Sequence, residues 1–137
     1  MDYVGRDRYR QTYVVKEHRM ELIESSLEHY LNRLLQQRLS GLEASLQATK
    51  VLFGYKSLVP ILIDEKTLLF PIFGLRGQIS LLVNYHQIQT WTKHENHGAI
   101  LSFESGHAIH APSHTAVKKQ IRKCEEILHY LQEAKID

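Results

Sequence analysis

A single cysteine, Cys124, stands among the 137 residues. It has no partner for an intrachain disulfide or a Cys-x-x-Cys zinc site, so neither an oxidising compartment nor a metal framework is indicated. Long apolar runs are missing too. The greasiest stretch, Leu58 to Ile63, is interrupted by Pro60 and falls far short of the ~20 residues a membrane span requires. The start, MDYVGRDRYRQTY, lacks the apolar core and small-residue cleavage site of a secretory leader, so a cytoplasmic protein with no membrane partner is expected. The seven glycines are scattered and form no phosphate-cradling or dinucleotide fingerprint, and no GxSxG elbow frames Ser102 or Ser113. These gaps argue against an enzyme, and no catalytic residue or cofactor is assigned.

Hydrophobic residues make up 43 % and charged residues 23 % of the chain, ordinary values for a folded protein of one domain, taken as 1–137. Net charge is only +2, too weak in itself to argue for a polyanionic partner. Its distribution says more. Between Lys118 and Lys123 there are four cations and no anion.

The spacing of Met20, Ile23, Leu27, Tyr30, Leu31, Leu34 and Leu35 predicts an amphipathic helix over 16–40, ending near Ser40-Gly41. Ahead of it, 1–15 reads as a flexible arm in which Arg6, Arg8 and Arg10 alternate with tyrosines. From 46 to 111, short branched or aromatic runs separated by turn residues predict a mainly antiparallel sheet. Its strands include VLF, LVPILI, TLLFPIF, QISLLVNY, IQTWTKH, AILSFES and HAIHA. Turns are expected at Ile63–Thr67, at Gly74–Gly77 and at Ser105-Gly106, and Pro60 and Pro71 should sit at edges or bulges. A closing helix over 113–134 carries the apolar stripe Val117, Ile121, Cys124, Leu128, Leu131. The fold class is therefore α+β: an N-terminal helix, a mainly antiparallel β-sheet and a C-terminal amphipathic helix.

Lys118, Lys119, Arg122 and Lys123 fall on the arc opposite that stripe and should face solvent together. Cations sit badly at a helix N-terminus, where the dipole disfavours them by roughly 0.3–1 kcal/mol each. A polyphosphate backbone would compensate, since each neutralised phosphate releases counterions. Arg76 between Gly74 and Gly77, Lys56 beside Gly54 and Tyr55, and Arg33 and Arg38 on the first helix are further candidates for the same surface. The histidines His94, His97, His107, His110 and His114 have no metal-ligand spacing, and His107 and His110 would point to opposite faces of a strand, so no metal site is assigned. Cys124, on the apolar stripe, reads as a small buried hydrophobe.

The ordered segments Pro60-Ile61-Leu62-Ile63-Asp64, Leu69-Phe70-Pro71, Gln78-Ile79-Ser80, Leu101–His107, Ala111-Pro112 and Lys118–Lys123 resemble the ComK family of bacterial competence transcription factors. The resemblance covers Leu58 to Lys123. It implies a transcriptional activator that binds A/T-rich double-stranded DNA, largely through the minor groove, as a homo-oligomer built from dimers. It also implies control by the adaptor of a regulatory protease. In this chain Gln78 stands where the family commonly has an aromatic, and Leu42-Glu43 replaces basic residues. The alternative reading is a protein-interaction module of the same fold that has lost DNA binding. It would act through hetero-oligomerisation, using an apolar patch on the Leu27–Leu35 helix.

Overall fold

The computed structural model describes residues 1–134. Among these residues nine strands and three α-helices follow one another: β1 Tyr3–Arg6, β2 Thr12–Lys16, β3 Arg19–Ile23, α1 Leu27–Gln36, α2 Leu42–Phe53, β4 Ile61–Asp64, β5 Thr67–Phe73, β6 Ser80–Asn84, β7 Ile88–Lys93, β8 Ala99–Phe103, β9 Ala108–Ala111 and α3 His114–Ala134. A six-stranded antiparallel sheet has the order β3-β2-β1-β6-β5-β4, and a second, three-stranded sheet the order β7-β8-β9. The class is α+β, as the sequence indicates.

Alternation along the strands gives the large sheet two apolar faces. Val4, Val14, Ile61, Ile63, Leu69 and Leu82 pack against Leu27, Leu31 and Leu35 of α1 and Leu42 of α2. Tyr3, Val15, Leu68, Phe70 and Val83 point the other way, onto Leu101 and Phe103 of the small sheet and Val117, Ile121 and Cys124 of α3. The result is three layers, with the large sheet in the middle. Because Leu27, Leu31 and Leu35 are buried here, the helix patch that an interaction module would have used is already occupied by the sheet.

Three expectations need correction. Residues 1–15 are no arm: β1 lies at the centre of the sheet between β2 and β6, and all four of its residues are buried. Its Arg6 is 6 % exposed and donates to Glu28 Oε1, to the carbonyls of Leu75 and Gly77 and to Ser80 Oγ, so its charge is neutralised by protein rather than by water. Residues 16–26 are not helical. Glu17 and His18 both adopt left-handed backbone (φ 47° and 69°) and make a two-residue hairpin turn into β3. Pairing with β2 overrides the helical spacing of Met20 and Ile23. Residues 46–53 are helical rather than extended. Val51–Phe53 form the last turn of α2, which Gly54 (φ +74°) terminates with its N–H on Lys50 O.

The remaining turns lie where expected. Asp64 Oδ1 accepts from the Lys66 N–H in the β4–β5 turn, and Gly106 (φ +93°) turns β8 into β9. Pro71 adjoins a register shift between β5 and β6, where its missing donor does no harm. Ser113 opens α3, its Oγ accepting from the Ala116 N–H at 3.1 Å.

Candidate nucleic-acid interface

The cations of α3 divide into two sets. Lys118, Lys119 and Arg122 are exposed on the side opposite the buried Val117, Ile121 and Cys124. Among the described residues none of the three forms an ion pair. Lys118 and Arg122 are four residues apart on one face, as are Lys119 and Lys123, and such like-charged neighbours oppose helix formation by roughly 0.2–0.5 kcal/mol per pair. The first turn carries no acidic residue to offset them. In the isolated protein this array is a small net cost.

Lys123 departs from the expectation that all four face solvent. It is half-buried, and its Nζ donates to the carbonyls of Ser57 (3.1 Å) and Leu58 (3.2 Å) while lying 5.0 Å above the Tyr55 ring. Burial, aided by the charge of Lys119 and opposed by Glu126, holds the ammonium below the ordinary lysine range. Tyr55 completes the clamp by donating its hydroxyl to Glu126 Oε2 at 2.6 Å. Gln120 Nε2 donates to the same Leu58 carbonyl at 3.0 Å. Two α3 side chains thus fix the loop between α2 and β4, and with it Leu58, a residue in left-handed backbone (φ 51°) and 46 % exposed.

That loop meets the β5–β6 turn. Lys56 and Leu58 share an open groove of about 210 Å³ with Leu75 and Arg76, and Lys50 from the last turn of α2 lines it too. The Gly74 backbone lies so close to Leu58 that an added Cβ would stand 2.9 Å from Leu58 Cδ2. Beyond Arg76, Gln78 Nε2 reaches the Arg8 carbonyl at 3.4 Å, which joins the β1–β2 loop and its exposed Arg8 and Arg10 to the same end of the sheet.

Packing therefore brings Lys56 and Arg76, which lie far apart in sequence, to one groove, and Lys123 and Gln120 tie α3 to the loop that carries Lys56. Neither Arg33 nor Arg38 lines that groove. Both are exposed, Arg33 on α1 and Arg38 just after it, and Arg38 lines a separate groove with Asp64 and Glu65 between α2, β4 and α3. Lys50 lines the groove and Arg8 meets Gln78 beside it, although sequence reasoning left Lys50 out and placed Arg8 and Arg10 on a flexible arm. The signal for Lys50 was its place one turn before the helix-ending Gly54. Among the described residues no three metal-ligating side chains gather, and Cys124 is buried, its thiol pushed up from the ordinary range first by burial and then by Glu125.

The fold and this surface define an α+β protein presenting a cation-lined face beside an open groove. A family model described as ComK protein matches residues 4–136, and the chain belongs to the ComK family. The likeness legible over Leu58–Lys123 thus extends over nearly the whole chain. The family is one of competence transcription factors, not enzymes. No curated protein and no solved structure matches the chain. No helix among the described residues is long and apolar enough to cross a membrane.

Proposed function

We propose that the chain acts as one DNA-binding domain that regulates transcription from A/T-rich promoters. Lys118, Lys119 and Arg122 contact phosphates of one strand. Arg76 reaches toward the minor groove, whose narrowing in A/T-rich tracts strengthens its negative potential. Lys56 and Lys50 line the groove between these contacts, and Lys123 holds the loop that carries Lys56. Phosphate contacts position the protein, and preference for A/T-rich sequence comes from groove width and deformability. The single observation that carries the reading is the set of exposed cations at the start of α3, which form no ion pair among the described residues, have no acidic residue in the first turn and are unfavourable without an external anion.

We further propose, on what the resemblance to the family implies, a cytoplasmic homo-oligomer under the control of a protease adaptor. An interaction module working through α1 has no free apolar face on that helix to work with.

Fluorescence anisotropy on A/T-rich and G/C-rich duplexes at several salt concentrations tests the proposal. The expected slope of log K against log[salt] is negative by several units and flattens by about one for each of Lys118→Ala and Arg122→Ala. Equal affinity for both duplexes, or a slope indifferent to these substitutions, would overturn it.

A further inference from the structure

The two edges of the large sheet are protected very differently. β4, at one edge, has a register shift between Leu62 and Asp64, buries Ile61 and Ile63, and runs between α2 and α3. This is how proteins commonly blunt an edge. β3, at the other, has none of these devices. Its five residues pair with β2 without a shift, it contains no proline, and Arg19, Met20, Glu21 and Leu22 are all exposed. Met20 is 64 % and Leu22 61 % exposed. Met20 pairs with Val15 and Leu22 with Tyr13, so both lie on the sheet face that carries Val15 and Tyr13 into the core.

The register fixes which backbone groups of this edge are free. A two-residue turn makes Lys16 and Arg19 a hydrogen-bonded pair, and the pattern alternates from there. The N–H and C=O groups of Met20 and Leu22 therefore point away from β2, toward an absent neighbour.

We propose that β3 is an edge-to-edge interface with a second copy of this chain, antiparallel about a two-fold axis at Met20. This centre uses the free Met20 backbone groups and sets each charged side chain of the strand against its opposite. Met20 of one copy then exchanges both hydrogen bonds with Met20 of the other, using the groups that are free. Arg19 stands opposite Glu21 twice, in non-hydrogen-bonded positions where cross-strand side chains approach most closely. On the opposite face the two methionines and the two Leu22 side chains form one continuous apolar row. A centre at Glu21 would pair Met20 with Leu22 through the free backbone groups but would oppose two carboxylates and set Arg19 against Ile23; a centre at Leu22 would leave Arg19 and Glu21 without each other. Cations and anions placed symmetrically about one apolar residue are self-complementary under two-fold symmetry, which is what selects a second copy as the occupant. Two large sheets would join into one continuous twelve-stranded sheet across the dyad. The interface makes no use of the α3 cations and stands whether or not the chain binds DNA.

Sedimentation equilibrium of the full chain without DNA tests this. The wild type is expected to dimerise, Arg19→Glu and Glu21→Arg each to weaken the dimer by about tenfold through like-charge pairs, and the double variant to recover to within about threefold of wild type. Oxidised Met20→Cys is expected to cross-link, since Cα atoms of a hydrogen-bonded pair lie about 5.5 Å apart, within disulfide reach. Leu22→Cys is expected not to, because its counterparts lie about 13 Å apart along the strands. All four positions are exposed, and unchanged circular dichroism would establish that each variant is folded. A chain that stays monomeric at every concentration, a dimer indifferent to the charge exchange, or Leu22→Cys linking as readily as Met20→Cys would overturn the proposal.

Discussion

Arg6 Nη1 donates to Glu28 Oε1 at 2.8 Å, tying the central strand β1 to the first turn of α1 across the edge of the sheet. Arg6 Nη2 meanwhile holds the carbonyls of Leu75 and Gly77, both at 2.7 Å, in the turn that carries Arg76. One buried guanidinium therefore links two layers of the fold to the candidate interface. Arg6→Ala should cost about 3–5 kcal/mol of stability, because it leaves buried acceptors without a donor. Arg6→Lys should recover little of this, since an ammonium cannot reproduce the planar fork. Chemical denaturation monitored by circular dichroism checks both.

The same pair makes stability depend on acid. Burial tends to raise the Glu28 carboxyl, but hydrogen bonds from Arg6 and from its own backbone, with the charges of Arg6 and Arg10, prevail and hold it below its ordinary value of 4.5. A carboxyl depressed in the folded state contributes fully above the unfolded value and loses that contribution as pH falls through the folded one. Wild-type stability should therefore fall with acidification below pH ~4.5, and Glu28→Gln should flatten that part of the profile. Denaturation midpoints measured across the acid range would reveal it.

Gly5 tolerates no side chain. An added Cβ would run into the Ser80 carbonyl of the neighbouring strand and the Tyr13 hydroxyl. The carbonyl is fixed in the β1–β6 ladder, so Gly5→Ala should destabilise by about 1–3 kcal/mol, visible as a lower thermal midpoint.

Lys123 and Lys118 should separate in their effects despite their proximity in sequence. Lys123→Met keeps much of the packing over Tyr55 and removes the donors to Ser57 and Leu58. It should loosen the loop, accelerating hydrogen exchange at residues 55–59, with a loss of about 1 kcal/mol or less. Lys118→Ala should leave stability within about 0.5 kcal/mol of wild type and act only on anion binding. Equal protection of the loop in both variants would count against this division of labour.

Cys124 should be inert in the folded protein. It is buried against the sheet, and its thiol is held up by that burial, so little thiolate forms. Alkylation should proceed at the rate of global unfolding and rise steeply in denaturant; rapid labelling under native conditions would contradict the burial.

Local chemistry explains which parts of this fold were legible. The β4–β5 turn, the β8–β9 hairpin and α3 announce themselves through Asp64, Gly106 and the stripe from Val117 to Leu131, because each signal lies within a few residues of its effect. The β2–β3 hairpin did not, because Glu17 and His18 take left-handed backbone without the glycine or asparagine that usually betrays such a turn. β1 was hidden because Arg6 reads as a surface charge until Leu75, Gly77 and Glu28, none of them near it in sequence, are seen to surround it. The same limit applied to the site: the α3 cations were legible from helical period, whereas the junction of Lys50, Lys56 and Arg76 depends on two loops meeting.

By itself, the sequence determined the α+β class, the closing helix, the cluster of positive charge at its start and the kinship with ComK proteins, since periodicity, turn residues and ordered motifs are properties of neighbours along the chain. Only the tertiary structure decided that the N-terminal segment is the centre of a sheet, that Lys123 turns inward while Lys118, Lys119 and Arg122 stay outside, and that β3 is left bare. Burial and partnership are set by what the folded chain brings together, and at these places the partners lie tens of residues away.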